Sequence, residues 1–248
     1  MKPKRRNPAA PLRAAILALG IFAIPHGAGA QGITIDPVNI VMAPGEAAAT
    51  LTIGNNGDRE ISFQIRAFAW QAGRAGDMQL DRTNELLVSP PLGTIAPRAT
   101  QIARLVLSRA PQDRELSYRI LIDELPPPAE AGVVHVALRF SIPVFAEPAG
   151  IAAPHVRWRI ATQGTQAWLV ASNDGTRHQS VRDVALRTVD GRALSLKSDT
   201  PPYILAGGEH RWNIQPDGPL PASGSVMRLT ALGDGGAIDQ QVRVDGGP

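Results

Sequence analysis

The sequence predicts an all-β protein with two β-sandwich domains. Strand-like apolar runs recur along the whole chain, and clusters of glycine, proline, asparagine and aspartate separate them. No segment combines a sustained helical period with capping residues. A short stretch rich in chain-breaking residues, 147–154, divides the runs into two sets and is typical of a domain linker.

The first 30 residues predict a secretory signal peptide. They hold five basic residues, an apolar stretch at 14–24 and an Ala28-Gly29-Ala30 cleavage motif. The apolar stretch is about eleven residues long, whereas a membrane-spanning helix needs about twenty. We expect cleavage after Ala30 and export of the remaining chain by general secretion.

The charge of the remaining chain is close to balanced. The full sequence has 25 lysine and arginine residues against 22 acidic ones, and five of the basic residues belong to the first 30. The 20 that remain do not favour nucleic acid or an anionic membrane as a partner. Because the sequence contains no cysteine, stability must come from burial of apolar side chains.

Seven strand-like runs precede the linker, at 33–42, 47–53, 61–70, 86–88, 100–108, 116–125 and 133–145. Seven strands in about 115 residues are typical of an immunoglobulin-like sandwich. Residues 31–147 are therefore predicted to form a first immunoglobulin-like domain.

Seven further runs follow the linker, at 156–160, 167–172, 181–189, 203–205, 210–214, 226–231 and 238–244. Turn signals such as Asn173-Asp174-Gly175 again lie between the runs. They predict a second, smaller sandwich over residues 148–248.

The last run of the first set has the clearest pattern. Every second residue is apolar in the series Val134, Val136, Leu138, Phe140, Ile142 and Val144. Successive side chains of a strand point to opposite faces, so this series predicts a strand at 133–145 with one apolar face. Typical strands have about five or six residues. The pattern fits a long core strand, and it also fits a strand whose surplus apolar row contacts another molecule.

The common signatures of catalysis and metal binding are missing. The histidines after residue 30 are scattered without metal-ligand spacing, and no serine lies in a nucleophile-elbow context. Asp123 and Glu124 are adjacent on a strand, so their carboxylates face opposite sides and do not share a substrate. We expect a protein that is not an enzyme and that carries no cofactor and no metal.

The order of segments resembles the periplasmic pilus-assembly (PapD-like) chaperones, in particular the archaic branch that serves spore-coat-protein-U-like pilins. The stretches that match are 53–58, 69–71, 87–91, 95–97, 101–105, 118–126 and 134–148, with weaker similarity at 172–175, 203–207 and 232–236. The first set is specific in combination, and the similarity extends over most of the chain after the signal peptide.

This resemblance implies two immunoglobulin-like domains set at an angle, in the periplasm, with the strand at 133–145 as a donor strand. A pilin is a sandwich that lacks its last strand, and the donor strand fills the open groove by strand addition. The alternating residues from Val134 to Val144 would face the pilin. The implied partners are pilin subunits and an outer-membrane usher.

The family holds the pilin C-terminal carboxylate with basic residues in the cleft. In the better-known branch these lie on the first strand and the donor strand, where this sequence has Asn39 and Pro143. The resemblance to the archaic branch offers Arg104 first, because a guanidinium suits a carboxylate, and then Arg119 and Arg139.

The resemblance also implies an ion network between the domains. Glu124 and Asp234 fit that network, but Glu147 stands where a basic residue is expected near the linker. The alternative function is a secreted structural or adhesive β-sandwich protein, such as a pilus component. A third, a periplasmic binding protein or hydrolase, has no identifiable site. The sequence leaves open whether the free protein self-associates through its donor strand.

Overall fold

The computed structural model describes residues 32–73, 77–128, 132, 136–215 and 222–245, which form strands and connections and no helix. Ten strands lie in the first half: β1 Ile33–Asp36, β2 Ile40–Met42, β3 Ala48–Asn55, β4 Ile61–Ala72, β5 Met78–Arg82, β6 Leu86–Ser89, β7 Leu92–Ile95, β8 Thr100–Leu107, β9 Leu116–Leu125 and β10 Arg139–Ala146. Eight lie in the second: β11 Val156–Gln163, β12 Gln166–Asn173, β13 Gln179–Thr188, β14 Ala193–Lys197, β15 Tyr203–Ile204, β16 Glu209–Gln215, β17 Val226–Gly233 and β18 Gly236–Asp245. A search of the described residues for a helix able to span a bilayer found none.

The first ten strands form two facing sheets. One has four strands in the order β1-β3-β8-β6, and the other has the order β2-β10-β9-β4-β5, with β7 also paired to β4. Alternate residues of both sheets enclose one core, which includes Leu51, Leu105, Phe63, Ile120 and Val144. This is the sandwich that the strand count predicts.

One predicted run changes sheet in its middle. Residues 33–42 were expected to form one strand, but β1 pairs with β3 in the four-stranded sheet, whereas β2 runs parallel to β10 in the other. Pro37 lies between the two strands and has no backbone N–H to give to a ladder. Three strands were also missed, β5, β7 and β14, which are short and only weakly apolar.

The second half is a further sandwich with its own core. Its strands have the order β14-β16-β12-β11-β18-β17-β13-β15, and β14 also pairs with β13, so the strands close on themselves. Buried residues such as Leu169, Leu186 and Leu229 fill the interior. The fold is thus all-β with two immunoglobulin-like sandwiches, as the sequence predicts.

The long alternating strand is shorter than expected. β10 begins at Arg139, and residues 136–138 precede it without strand assignment. Residues 133–135, including Val134, lie outside the described residues. Residues 136–138 were predicted to belong to this strand but do not, although Val136 and Leu138 continue its apolar alternation.

Candidate functional site

One edge of β10 is open along most of its length. On one side β10 pairs with β9 from Arg139 to Ala146. On the other side β2 pairs only with Val144, Phe145 and Ala146. Within the part of the chain that the structure describes, residues 139–143 therefore have no strand partner on that side. Pro143, which lacks an amide donor, is tolerated at such an edge.

The alternating apolar row divides into a buried part and an exposed part. Ile142 and Val144 lie in the core of their own sandwich, and Phe140 is half-buried against it. Leu138 is 37% exposed and Val136 is 73% exposed. The sequence predicts that all six alternating side chains face a partner. Ile142 and Val144 do not, because they are buried in the core of their own sandwich. The exposed apolar surface lies where β10 begins.

The opposite face of β10 and its neighbours carries the polar residues of interest. Residues 119 and 123 of β9 lie on this outer face, because Tyr118, Ile120 and Ile122 point into the core. Arg119 is paired in register with Pro143, and Asp123 with Arg139. Four positions along the strands separate these two rows, which corresponds to about 13 Å.

Asp123 binds two arginines at the start of β10. Its carboxylate accepts from Arg66 Nη2 at 2.6 Å and Nε at 3.2 Å, and it also pairs with Arg139. Burial acts to raise the pKa of Asp123, but the hydrogen bonds and charges of Arg139 and Arg66 overcome it and hold that pKa below its usual range. Arg139, a predicted anchor, therefore already has a carboxylate. A surface groove of about 420 Å³ beside this cluster includes Leu138 in its wall.

Arg119 is a buried cation that pairs with no carboxylate of the described residues. It is 3% exposed, and its guanidinium carbon lies 3.9 Å from the ring centroid of Trp70 and 5.5 Å from that of Tyr203. Its Nη1 donates to the carbonyl of Ser141 at 3.3 Å. Burial lowers its pKa to about 10, so the group is still charged at neutral pH.

The two remaining donors of Arg119, Nε and Nη2, are buried and have no hydrogen-bond partner among the described residues. These two atoms form the side-on fork of a guanidinium. Arg66 uses the same pair of atoms to hold Asp123, and Arg228 uses it to hold the two oxygens of Asp239 at 2.9 and 2.6 Å. The free fork of Arg119 therefore has the donor geometry that binds a carboxylate twice elsewhere in this protein.

Arg104 is not brought together with the other two predicted anchors. It lies on β8 of the four-stranded sheet, between Ala103 and Leu105, which are both in the core. Its side chain is exposed on the outside of that sheet and makes no ion pair with a described residue. Arg119 and Arg139 are on the other sheet, on β9 and β10, so Arg104 does not lie with them.

Aromatic residues from both halves meet beside Arg119. Trp70 of β4 and Phe145 of β10 pack with Leu205 from the second half, and Tyr203 packs against this cluster. Trp70 and Tyr203 meet edge to face with centroids 5.4 Å apart. These contacts place the end of β10, the buried guanidinium and the second sandwich at one junction.

Polar contacts connect the halves at the same junction. The buried pair His178 and Glu115 has Nδ1–oxygen distances of 2.9 and 2.8 Å. Glu147, which stands where a basic residue is expected, pairs with Arg177 Nε at 2.9 Å. Gly207 and Gly208, in the loop after β15, lie close to Arg114 and Ala72 of the first half. A Cβ on Gly208 would lie 2.7 Å from the Cβ of Ala72.

The two residues expected in an interdomain ion network have other contacts. Glu124 accepts the backbone N–H of Leu138 at 3.2 Å. Asp234 accepts from the backbone N–H of Ser180 at 2.8 Å and from Gln179 at 3.1 Å, both within the second half. Among the described residues neither carboxylate reaches the opposite sandwich. Glu115 and Glu147 make those connections instead.

Sequence reasoning missed most of the junction. Trp70 and Phe145 were part of matching stretches, but His178 and Glu115 carry no local signal, since they are 63 positions apart. The partners of Asp123 were also missed. The alternation of β9 does place residues 119 and 123 on the same face of the strand, so the sequence indicates that these two side chains share one side of the sheet. In the part of the chain that the structure describes, no group of three or more histidine or acidic residues is arranged to hold a metal ion.

Comparison with known families identifies the first sandwich. Residues 32–152 match the family described as "Pili and flagellar-assembly chaperone, PapD N-terminal domain". Chaperone protein PapD of Escherichia coli is 30% identical over 139 residues, which cover 54% of this chain and 55% of that protein. Chaperone protein FaeE of Escherichia coli is 26% identical over 118 residues, 47% of this chain and 43% of that protein. The chain thus spans about half the length of the curated relatives it matches.

Solved structures extend the similarity of fold to nearly the whole described chain. A chain of the CsuC–CsuE chaperone–tip adhesion subunit pre-assembly complex from the archaic chaperone-usher Csu pili of Acinetobacter baumannii has a TM-score of 0.65 at 22% identity. The match covers 86% of this chain and 98% of that one. The YadV chaperone has a TM-score of 0.60 at 19% identity, with coverage of 85% and 98%. Residues 32–152 thus form a domain of the pili and flagellar-assembly chaperone family, and the two-sandwich fold of the solved chaperones extends over the rest of the described chain.

Proposed function

We propose that this protein is a periplasmic pilus-assembly chaperone. It stabilises pilin subunits by donor-strand complementation and delivers them to an outer-membrane usher. Its work is binding and not catalysis. The observation that carries this proposal is the open edge of β10, where residues 139–143 have no strand partner among the described residues and exposed apolar side chains lie beside them. Proteins usually protect such an edge, and an incoming strand would cover it.

The donor surface in this proposal is smaller than the alternating row. Val136, Leu138 and the exposed part of Phe140 are available to a pilin, whereas Ile142 and Val144 support the strand from inside their own core. Val134 belongs to the proposed surface on the sequence pattern alone. Each apolar side chain that becomes buried contributes about 1.5–3 kcal/mol before the entropy of ordering is subtracted. Backbone hydrogen bonds along residues 139–142 would add specificity of register.

Arg119 is the proposed anchor for the pilin C-terminal carboxylate. Its free fork of Nε and Nη2 supports this role, as does its place on the same sheet as the donor strand. A buried charge without an ion partner costs several kcal/mol, and stacking on Trp70 recovers about 2 kcal/mol of that cost. A carboxylate would supply the missing partner. Arg139 has Asp123 as its partner, and Arg104 faces away, so both are secondary candidates.

Separate observations support three further parts of this proposal, namely the archaic branch, the periplasmic location and the domain boundary. Membership of the archaic branch is supported by the similarity to the structure from the Csu pili, which carries the fold. Location in the periplasm and cleavage after Ala30 are supported by the signal-like first 30 residues. The domain boundary between 147 and 148 is supported by the division of the sheets, since β10 ends at Ala146 and β11 begins at Val156.

Co-expression with a cognate pilin subunit tests the proposal. The expected product is a stable one-to-one complex that Leu138→Glu disrupts, because the variant places a charge in an apolar groove. Leu87→Glu is the matched control, since Leu87 is also an exposed leucine but lies on the opposite sheet. Equal recovery of the complex with both variants would reject strand donation from β10.

A further inference from the structure

The guanidinium of Arg119, the proposed anchor, is not accessible from solvent in this structure. Both free donors, Nε and Nη2, have no contact with solvent, although no described residue hydrogen-bonds to them. A carboxylate from another molecule cannot reach either atom while the surrounding side chains keep these positions. Some part of the wall around Arg119 must therefore move before the anchor can be used.

Two aromatic rings next to the guanidinium come from different halves of the protein. Trp70 lies on the twelve-residue strand β4, where it pairs in register with Leu80 of β5, and is itself buried. Tyr203 lies on β15, which has two residues and two register pairs with β13. Tyr203 is also only partly buried, and prolines at 201 and 202 precede it. Of the two rings, Tyr203 is the one that its backbone holds less firmly.

We propose that Tyr203 is the gate of the Arg119 anchor, so that a movement of this ring from the second sandwich exposes the free guanidinium fork. The proposal rests on the proposed function and adds a role for the second half, which holds no part of the donor strand. The closed gate keeps bulk anions from the fork, and seating of the pilin against both sandwiches would displace the ring. Tyr203 is thus a positioning residue, because it acts through Arg119.

Chemical modification of the free protein tests the gate without a pilin. Phenylglyoxal reacts with accessible guanidinium groups, and peptide mass mapping reports the rate at each arginine. We expect Arg119 to react at least about tenfold more slowly than the exposed Arg104 in the same sample. Tyr203→Ala should bring the Arg119 rate to within about threefold of Arg104, and Tyr203→Phe should leave it slow.

Leu205→Ala is the matched control, because Leu205 packs on Trp70 and Phe145 at the same junction but is not stacked on Arg119. It should change the Arg119 rate less than twofold. Tyr203→Leu, which keeps apolar bulk, serves if Tyr203→Ala does not fold, and is expected to unmask Arg119 as well. Fast modification of Arg119 in the wild type, or an unchanged rate in the folded Tyr203 variants, would overturn the gate. If Arg119 is unmasked but Arg119→Ala still binds pilin normally, the gate stands and the anchor does not.

Discussion

Phe145 stacks on His178 with ring centroids 3.6 Å apart and an interplanar angle of 9°. Phe145 is the next-to-last residue of β10, and His178 directly precedes β13 of the second sandwich. The same imidazole contacts the buried carboxylate of Glu115. The end of the proposed donor strand is thus fixed to the second half by one ring that both stacks and pairs.

His178→Ala should lower the free energy of unfolding by about 1–3 kcal/mol, because it removes the imidazole from the buried carboxylate of Glu115, which keeps the backbone N–H of residue 178 as a partner. The matched control is His155→Ala, at an exposed pair with Asp174, which should cost less than about 1 kcal/mol. Urea unfolding followed by tryptophan fluorescence measures both. Similar small losses in the two variants would mean that the junction does not depend on this pair.

Asp123→Asn should lower the free energy of unfolding by about 1–3 kcal/mol, because charge-assisted hydrogen bonds to Arg66 and Arg139 are lost from a mostly buried carboxylate. Asp239→Asn removes a bidentate pair with Arg228 whose side chains are exposed, and should cost at most about 1 kcal/mol. Equilibrium unfolding at neutral pH compares them. A larger loss at Asp239 would contradict the structural role assigned to Asp123.

Stability should fall as the pH is lowered from about 6.5 to 4 because of His210. Burial lowers the pKa of this imidazole to about 4, and a hydrogen bond with the backbone of Tyr203 offsets the shift only partly. The unfolded chain therefore binds a proton in this window and the folded chain does not, so acid favours unfolding by up to about 3 kcal/mol. Above about pH 6.5 neither state is protonated, and the contribution of His210 is constant.

The variant His210→Gln isolates this contribution. It can still bond to the hydroxyl of Ser198, which lies 3.0 Å from His210 Nε2, but it does not titrate. The loss of stability between about pH 6.5 and 4 should shrink in this variant when unfolding by urea is measured across the window. The same pH dependence in wild type and variant would assign the effect to other groups.

Arg119→Ala should weaken pilin binding by at least about tenfold, since it removes one partner of a buried charged pair. A semisynthetic pilin with an amidated C-terminus should lose a similar amount with wild-type chaperone. Combining the two changes should give little further loss, which a double-mutant cycle by titration calorimetry measures. Arg104→Ala is the control and should bind normally. If the losses in binding free energy from Arg119→Ala and from amidation were additive, the pilin carboxylate would not bind at Arg119.

The sequence was most informative where one face of a strand is buried. The bounds of β9 were predicted as 116–125 and agree with the structure, because its alternation reports burial in one sandwich core. The start of β10 was not predictable in the same way. Val136 and Leu138 continue the alternation although they are exposed, since a pattern does not reveal whether its apolar face is covered by the same chain or by another.

The ranking of the arginines also required the fold. Arg104 and Arg119 both lie in strands between apolar residues, so their local patterns are alike. Only the packing of the sheets distinguishes them, with Arg119 against Trp70 and Arg104 in solvent. The pair of Glu115 and His178 joins distant parts of the chain, and no short-range rule indicates it.

Hydrogen–deuterium exchange of the peptide that spans residues 136–146 tests strand donation most directly, in the free protein and in its complex with pilin. We predict rapid exchange in the free protein for the amides of residues 136 and 137, which precede the strand, and for those of Arg139 and Ser141, which face the open edge, whereas the alternate amides of β10 bond to β9. The complex should protect these amides at least about tenfold, because a pilin strand would pair with them. Unchanged exchange at 136–142 in a one-to-one complex would contradict the account, since the pilin would then bind elsewhere.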